Sequence, residues 1–139
     1  MEFVTDRTET DVLLKTAKGC YGVQDLNRVE EAVAQLCVLA AQLDIHPGLT
    51  VKIDWCLPEA FSPAQWATRE QMERYLDNVR RLCEAVEMKA ELPSSMEHLT
   101  WEGANGIEQA LLLVYSRIQN ILQAFRFSGE IFAGEENGL

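Results

Sequence analysis

Residues 100–125, TWEGANGIEQALLLVYSRIQNILQAF, carry the pattern that decides the fold. Apolar residues recur there at alternating intervals of three and four, which places them on one stripe of an α-helix. The stripe consists of Ala104, Ile107, Leu111, Val114, Ile118, Ile121 and Phe125. Thr100 precedes the stripe and is a residue type that caps helix N-termini. The stretch therefore predicts the longest helix of the chain.

Two upstream stretches have the same periodicity and predict two further long helices. The first begins near residues 22–25 and ends before a turn at residues 46–48, where proline and glycine interrupt it. Its stripe is Leu26, Val29, Val33, Leu36, Ala40 and Leu43. The second begins at Thr68, with Gln71 in the position of a capping box. Its stripe is Met72, Tyr75, Val79, Leu82 and Val86.

Two weaker signals complete the predicted fold. Residues 8–18, which begin with a possible cap at their first threonine, predict a short N-terminal helix. Residues 49–55 alternate apolar and polar with a period of two, which is typical of a half-buried strand, and residues 130–133 predict a short second strand beside it. We therefore expect a single mainly α domain over residues 1–139, with three long antiparallel helices, the short helix and this minor β element. Residues 135–139 are expected to be flexible.

Composition and charge exclude several classes of function. The 139 residues include 12 lysines and arginines against 22 aspartates and glutamates, which gives a net charge of -10. A chain of this length buries a core without disulfides or metal. Its acidic surface repels nucleic acid and anionic membranes. The N-terminus lacks the pattern of a signal peptide, and no apolar stretch is long enough to span a membrane. We expect a protein that is synthesised and stays in the cytoplasm, or is assembled there into a larger particle.

The sequence contains no residue pattern that predicts catalysis or a cofactor. The cysteines at positions 20, 37, 56 and 83 are widely and irregularly spaced. This spacing favours free, buried, reduced thiols, with a four-thiolate zinc site as the alternative. Nucleophile-elbow, phosphate-loop and zinc-protease motifs are absent from the sequence. We therefore expect neither enzymatic activity nor a bound cofactor.

Three apolar residues lie outside the predicted stripes. Val38 and Leu39 are placed away from the stripe of the first long helix, and Leu113 is far from the stripe of the last one. They are either ordinary exposed or covered apolar residues, which are common, or part of a surface for self-association or for a protein partner. The second hypothesis implies other protein subunits, including copies of this chain, as partners.

Several stretches together resemble a family of small uncharacterised proteins from phages and prophages of Gram-positive bacteria, encoded among virion structural genes. The matching pieces are residues 5–8 with 11–12, residues 25–30 with 32–33, residues 52 and 54–55, residues 71–76 with 78–79, residues 96 and 99–100, residues 104–105 with 107–108, and residues 128–130. They span nearly the whole chain. The sequence leaves open whether three asparagines in these pieces, Asn27, Asn78 and Asn105, cap backbone groups or form a polar network.

The resemblance implies a minor structural component of the virion or its tail region, without catalytic residues. Together with the apolar residues outside the stripes, it favours a non-enzymatic phage or prophage structural or assembly protein acting by protein–protein contact. A cytoplasmic helical adaptor that binds a single protein partner is the alternative. A small ligand or metal binder that uses the cysteines or tryptophans is the second alternative.

Overall fold

The chain forms four helices within the part that the structure, a computed structural model, describes: residues 1–16, 18–45, 49, 51 and 68–138, except for the side chains of residues 23 and 125–138. The helices are α1 (Glu9–Leu13), α2 (Val23–Gln42), α3 (Arg69–Ala85) and α4 (Trp101–Gly138). At 1.5 Å per residue, α2, α3 and α4 are about 30, 26 and 57 Å long. The predicted mainly α class is confirmed.

The predicted β element is not supported. Residues 130–133 lie within α4, which continues to Gly138. A strand at residues 130–133 would need a neighbouring edge to satisfy its backbone groups, whereas a continuing helix satisfies them within the segment. Of the first predicted strand only Leu49 and Val51 are described, and neither is in a strand. Its other residues lie outside the described residues, as do residues 56–67.

The core is formed by α2, α3 and α4, each of which contacts the other two. The predicted stripes are the buried faces of these helices, because nearly every stripe residue with a described side chain is buried or packs against the core. The most deeply buried apolar side chains are Val29, Val33, Leu36, Tyr75, Val79, Leu82, Ile107, Leu111, Val114 and Ile118. Burial of a large apolar side chain stabilises the folded state by roughly 1.5–3 kcal/mol. The helices therefore depend on one shared core.

The three threonine caps predicted from the sequence are present. In each case the threonine hydroxyl accepts a hydrogen bond from the backbone N–H three residues later. The pairs are Thr8 with Asp11 at 3.2 Å, Thr68 with Gln71 at 3.1 Å, and Thr100 with Gly103 at 3.0 Å. The side chains of Asp11 and Gln71 also accept from the threonine N–H groups, which completes two capping boxes.

α2 and α3 both end without a glycine at the usual position. α2 ends before the turn predicted at residues 46–48, which lie outside the described residues. Its end is a Schellman motif, in which the N–H of Ile45 donates to the carbonyl of Ala40 at 2.9 Å. The motif places Asp44 in the left-handed region with a φ of 58°, and α3 ends in the same way with Glu87 at 56°. Glycine is the usual residue in this conformation, so neither Schellman motif can be recognised from the sequence.

The predicted first helix is shorter than expected. Residues 8–18 were predicted, but α1 comprises only Glu9–Leu13 and buries none of its residues. The chain folds back directly after it, so that a Cβ on Gly19 would lie 2.3 Å from the carbonyl oxygen of Asp11. Hydrogen bonding from Thr8 is the main cause that lowers the pKa of the Asp11 carboxyl. Local hydrogen bonds, rather than burial, therefore define this element.

Two glycines in the first turns of α4 differ in what surrounds them. A Cβ on Gly106 would lie 2.9 Å from the carbonyl oxygen of Glu91, which is a backbone atom. A Cβ on Gly103 would lie 3.1 Å from the Cδ1 atom of Leu99, the movable end of a side chain. The segment before α4 therefore approaches the helix backbone closely at Gly106.

Replacing Gly106 with alanine should lower the melting temperature, because the backbone at Glu91 must move to admit the methyl group. We expect a destabilisation of about 1–3 kcal/mol, in spite of the higher helix propensity of alanine. Thermal unfolding followed by circular dichroism measures it. Gly103→Ala is the matched control and should be neutral or stabilising by up to about 1 kcal/mol. Equal stabilisation by both substitutions would contradict the close approach at Gly106.

Candidate functional site

The densest polar cluster surrounds Glu108 in the second turn of α4. The residue has no exposed surface. Its Oε2 atom accepts from Nη2 of Arg7 at 2.6 Å and from Nη2 of Arg28 at 2.9 Å, and its Oε1 atom accepts from Nε of Arg28 at 2.7 Å. The backbone N–H of Val4 donates to Oε1 at 3.1 Å. Two guanidinium groups and an amide therefore compensate for the burial of one carboxylate.

Asp25, in the first turn of α2, balances the charge of this cluster. It accepts hydrogen bonds from both guanidinium groups, with a distance of 3.2 Å to Nη2 of Arg7. Two positive and two negative side chains thus form a neutral ion cluster, whose members are Arg7, Asp25, Arg28 and Glu108. Hydrogen bonding to Glu108, and then to Asp25, raises the pKa of the Arg28 guanidinium. The ion cluster joins the N-terminal segment to the first turns of α2 and α4.

Asn105 orients the arginine at the centre of the cluster. Its side-chain oxygen accepts from the backbone N–H of Arg7 at 3.0 Å and from Nη1 at 3.3 Å, while its amide nitrogen donates to the Arg7 carbonyl at 2.9 Å. Asn105 therefore both satisfies backbone groups and takes part in a polar network, the two roles that the sequence left open. Asn78 is buried in α3. The buried Oδ1 atom of Asn27 accepts no hydrogen bond from the described residues.

Two tyrosines connect the ion cluster to α3. The guanidinium carbon of Arg7 lies 5.4 Å from the ring centroid of Tyr21, within the range of a cation–π contact. The hydroxyl of Tyr21 forms a hydrogen bond with that of Tyr75, which is buried in the second turn of α3. Burial is the main cause that raises the pKa of both phenols above the ordinary value of 10.0. The polar contacts thus reach all three long helices.

The centre of the ion cluster is closed to solvent, since Arg7 exposes only 3% of its surface and Glu108 none. The side chain of Arg28, at the edge of the cluster, exposes 26% of its surface. The backbone N–H and carbonyl of Val4 also hydrogen-bond to members of the cluster. Within the described ranges, no group of three or more histidine, cysteine, aspartate or glutamate side chains could hold a metal ion.

The cysteines occupy different environments. Cys20 is exposed, Cys37 is half-buried and Cys83 is buried, and all three are free thiols. Burial raises the pKa of the Cys83 thiol to about 11 and also raises that of Cys37. Cys56 lies outside the described residues. The three cysteines that the structure describes are free thiols as predicted, but the predicted burial holds only for Cys83.

The three residues of the predicted self-association surface differ in exposure. Val38 exposes 55% of its surface and Leu113 exposes 44%. Leu39 is only partly exposed and packs against the core. The structure therefore places two of the three predicted residues in contact with solvent. Among the described residues, the most exposed large apolar ones are Leu13 at 73%, the last residue of α1, and Leu14 at 70%, directly after it, neither of which was predicted to be part of this surface.

An open groove between α3 and the segment before α4 is a second surface feature that the sequence did not predict. Its volume is about 1040 Å³, and residues of α3 from Arg69 to Arg80 and residues 94–97 line it. Nη2 of Arg80 closes one side by donating to the carbonyls of Pro93 and Ser94, both at 3.2 Å. The lining is mostly charged, with both signs present. No sequence signal could show it, because the two walls become neighbours only through folding.

Comparison with known proteins identifies no relative: no family model, no curated protein and no solved structure matches the chain. The resemblance to phage proteins is therefore still a hypothesis. None of the helices in the described ranges is both long enough and apolar enough to cross a membrane. The functional proposal below rests on the geometry of the described residues and on that resemblance.

Replacing Glu108 with glutamine should destabilise the protein strongly. The substitution keeps the shape of the side chain but leaves two guanidinium groups, of which that of Arg7 is buried, with one carboxylate between them. Breaking a buried ion pair in this way costs about 3–5 kcal/mol. Urea denaturation at neutral pH measures the change. The exposed Glu102 of the same helix is the control, and Glu102→Gln should change the free energy of unfolding by less than about 1 kcal/mol. Similar effects of both substitutions would contradict the central role of Glu108.

The tyrosine pair predicts a loss of stability at alkaline pH. Because the pKa of Tyr75 is raised in the folded state, the unfolded phenol ionises first as the pH rises through 10.0. Its contribution is complete below that pH and decreases above it by up to about 1.4 kcal/mol per pH unit.

Denaturation curves between about pH 9 and pH 11 test this dependence on the phenol. The fall in the free energy of unfolding should be shallower for Tyr75→Phe than for the unchanged protein. The raised pKa of Cys83 acts in the same direction in both proteins, so it cancels in the comparison. Parallel pH profiles for the two proteins would show that the phenol of Tyr75 is not responsible.

Proposed function

We propose that the protein is a non-enzymatic structural or assembly component of a phage or prophage particle and acts by protein–protein contact. The observation that carries the proposal is the length of α4. Ile118 is its last buried residue among the side chains described, and residues 119–124 are half-buried or exposed. The helix nevertheless continues to Gly138, about 30 Å beyond Ile118.

A helix that extends this far beyond its last buried residue is expected to pack against another protein. Helices in water derive most of their stability from packing an apolar face, and short isolated helices are marginal. α2 and α3 are 20 and 17 residues long, against 38 residues for α4. Contacts with other subunits would provide packing along the C-terminal part of α4. A compact three-helix body with one long helix suits a component that joins subunits.

The resemblance to phage proteins supports the same proposal in a specific way. Every side chain of the ion cluster lies in one of the matching pieces: Arg7 in the first, Asp25 and Arg28 in the second, and Glu108 in the sixth. Asn105 lies in the sixth as well. The matching pieces therefore contain the polar residues that join the N-terminal segment to α2 and α4. Because the carboxylate at the centre of these residues is buried, we take the resemblance to reflect a common shape for contact with other proteins.

A cytoplasmic adaptor is the second candidate, and the groove beside α3 favours it. Its charged lining, with Arg69, Glu73 and Asp77 on one wall, would suit a polar segment of a single protein partner. Such an adaptor would remain in the soluble fraction of the cell as a complex with one other protein. The two candidates therefore differ in the fraction where the chain is found.

Mass spectrometry of purified particles tests the proposal. Prophage induction in the encoding cell, followed by density-gradient purification, should yield particles that contain this chain in a fixed ratio to the major particle proteins. An abundant cytoplasmic protein of the same lysate serves as the control for carry-over. Recovery of the chain only in the soluble fraction, with one stoichiometric partner, would replace the proposal with the adaptor. Removal of the gene from the same cell confirms that the detected peptides belong to it.

A further inference from the structure

Charge is unevenly distributed over the exposed helix faces. Every exposed residue of α3 is charged, with three glutamates and two arginines: Arg69, Glu70, Glu73, Arg81 and Glu84. This is the surface expected of a soluble protein, since interspersed charges oppose association. In a chain with a net charge of -10, other long helices would be expected to look similar.

The C-terminal half of α2 and the middle of α4 have almost no charge. We call neutral face the exposed residues between Gln35 and Gln42 of α2 together with those between Gln109 and Ala124 of α4. Its side chains are amides, small residues and the exposed Val38 and Leu113, and its one charged member is Arg117. No acidic residue occurs in either stretch. Depletion of charge around exposed apolar residues is typical of the core of a protein–protein interface.

The two halves of the neutral face lie on neighbouring helices. α2 and α4 contact each other and both pack against α3, so their exposed stripes are directed away from the shared core. The contact between Arg28 and Glu108 places the first turns of both helices side by side. Counted from these two residues at 1.5 Å per residue, Val38 and Leu113 differ in height by only about 8 Å.

We infer that the neutral face is the contact surface between two copies of this chain. The inference deepens the proposed function, on which it rests, by naming the partner of the apolar surface. Two copies that each carry a net charge of -10 repel each other, and a face without carboxylates is where they approach with the least repulsion. A strongly basic partner would instead be attracted to the acidic surfaces elsewhere.

The chemistry of the face also suits self-association. Glutamine and asparagine side chains both donate and accept hydrogen bonds, so a row of them is complementary to an identical row. A twofold symmetric dimer brings the same patch of both subunits together. Val38 and Leu113 would provide its apolar centre, and Gln35, Gln109 and Asn120 would provide the surrounding hydrogen bonds.

The area of the neutral face indicates what kind of contact it can form. Its stretch on α4 is about 24 Å long and its stretch on α2 about 12 Å, and each helix is about 10 Å wide, which gives roughly 350 Å² per copy. A standard stable interface buries about 800 Å² per partner. We therefore expect a reversible dimer with a dissociation constant in the micromolar range, unless α4 beyond Ala124 extends the contact.

The test is sedimentation velocity of the full chain over roughly a hundredfold range of concentration, since dimerisation follows mass action. The variant Gln35→Glu/Gln109→Glu introduces charge on the neutral face with little change in shape. It should raise the dissociation constant about tenfold or more, and high salt should partly reverse the effect by screening. Circular dichroism confirms that the variant is folded.

The matched control is Leu13→Glu/Leu14→Glu, which adds the same charge at the most exposed apolar residues outside the neutral face. It should dimerise like the unchanged chain. A strict monomer over the whole range, or a dimer that only the control disrupts, would overturn the inference. The particle assay is independent, because a chain that dimerises but is missing from particles retains this inference and refutes the proposed function. A chain that remains monomeric but is found in particles refutes this inference and retains the proposed function.

Discussion

The burial of one carboxylate, that of Glu108, is the constraint on which the rest of the structure depends. A carboxylate without solvent needs compensating charge and hydrogen bonds, and the chain supplies them from two distant places. Arg7 comes from the N-terminal segment, Arg28 from α2, and Asp25 makes the cluster neutral. Since such a cluster is favourable only when all its members are in place, it selects one arrangement of these segments over others.

Two kinds of interaction stabilise different parts of the bundle. Polar contacts fix the end of the bundle where α2 and α4 begin, and an apolar core that reaches Leu36 and Ile118 stabilises the rest. The outer faces of α2 and α4 do not contribute to this core. The absence of carboxylates between residues 109 and 124 is therefore a property of the surface, which interior packing does not require.

The short first helix shows how local hydrogen bonds can present apolar residues to solvent. α1 has a complete capping box and buries none of its residues, while Leu13 at its end and Leu14 directly after it are more exposed than any other large apolar residues described. The segment is anchored directly before it by Arg7, whose backbone is bound on both sides by Asn105. A rigid N-terminal segment is thus maintained by the same contacts that satisfy Glu108.

The sequence by itself determined the elements whose cause is local. The intervals of three and four residues fixed the buried faces of α2, α3 and α4, because each apolar stripe must be covered. Threonine caps fixed where α1, α3 and α4 begin, since donor and acceptor are only three residues apart. The free thiols and the mainly α class followed from composition and spacing in the same way.

Only the tertiary structure decided the features that join distant residues. Arg7 and Arg28 meet Glu108 across 101 and 80 positions of the chain, and no spacing rule relates them. The ends of α2 and α3 were not predictable from glycine, because Asp44 and Glu87 adopt the left-handed conformation there. Residues 130–133 matched a strand locally yet lie in α4, since a helix satisfies its backbone within the segment and a strand needs a neighbour that only the fold can provide.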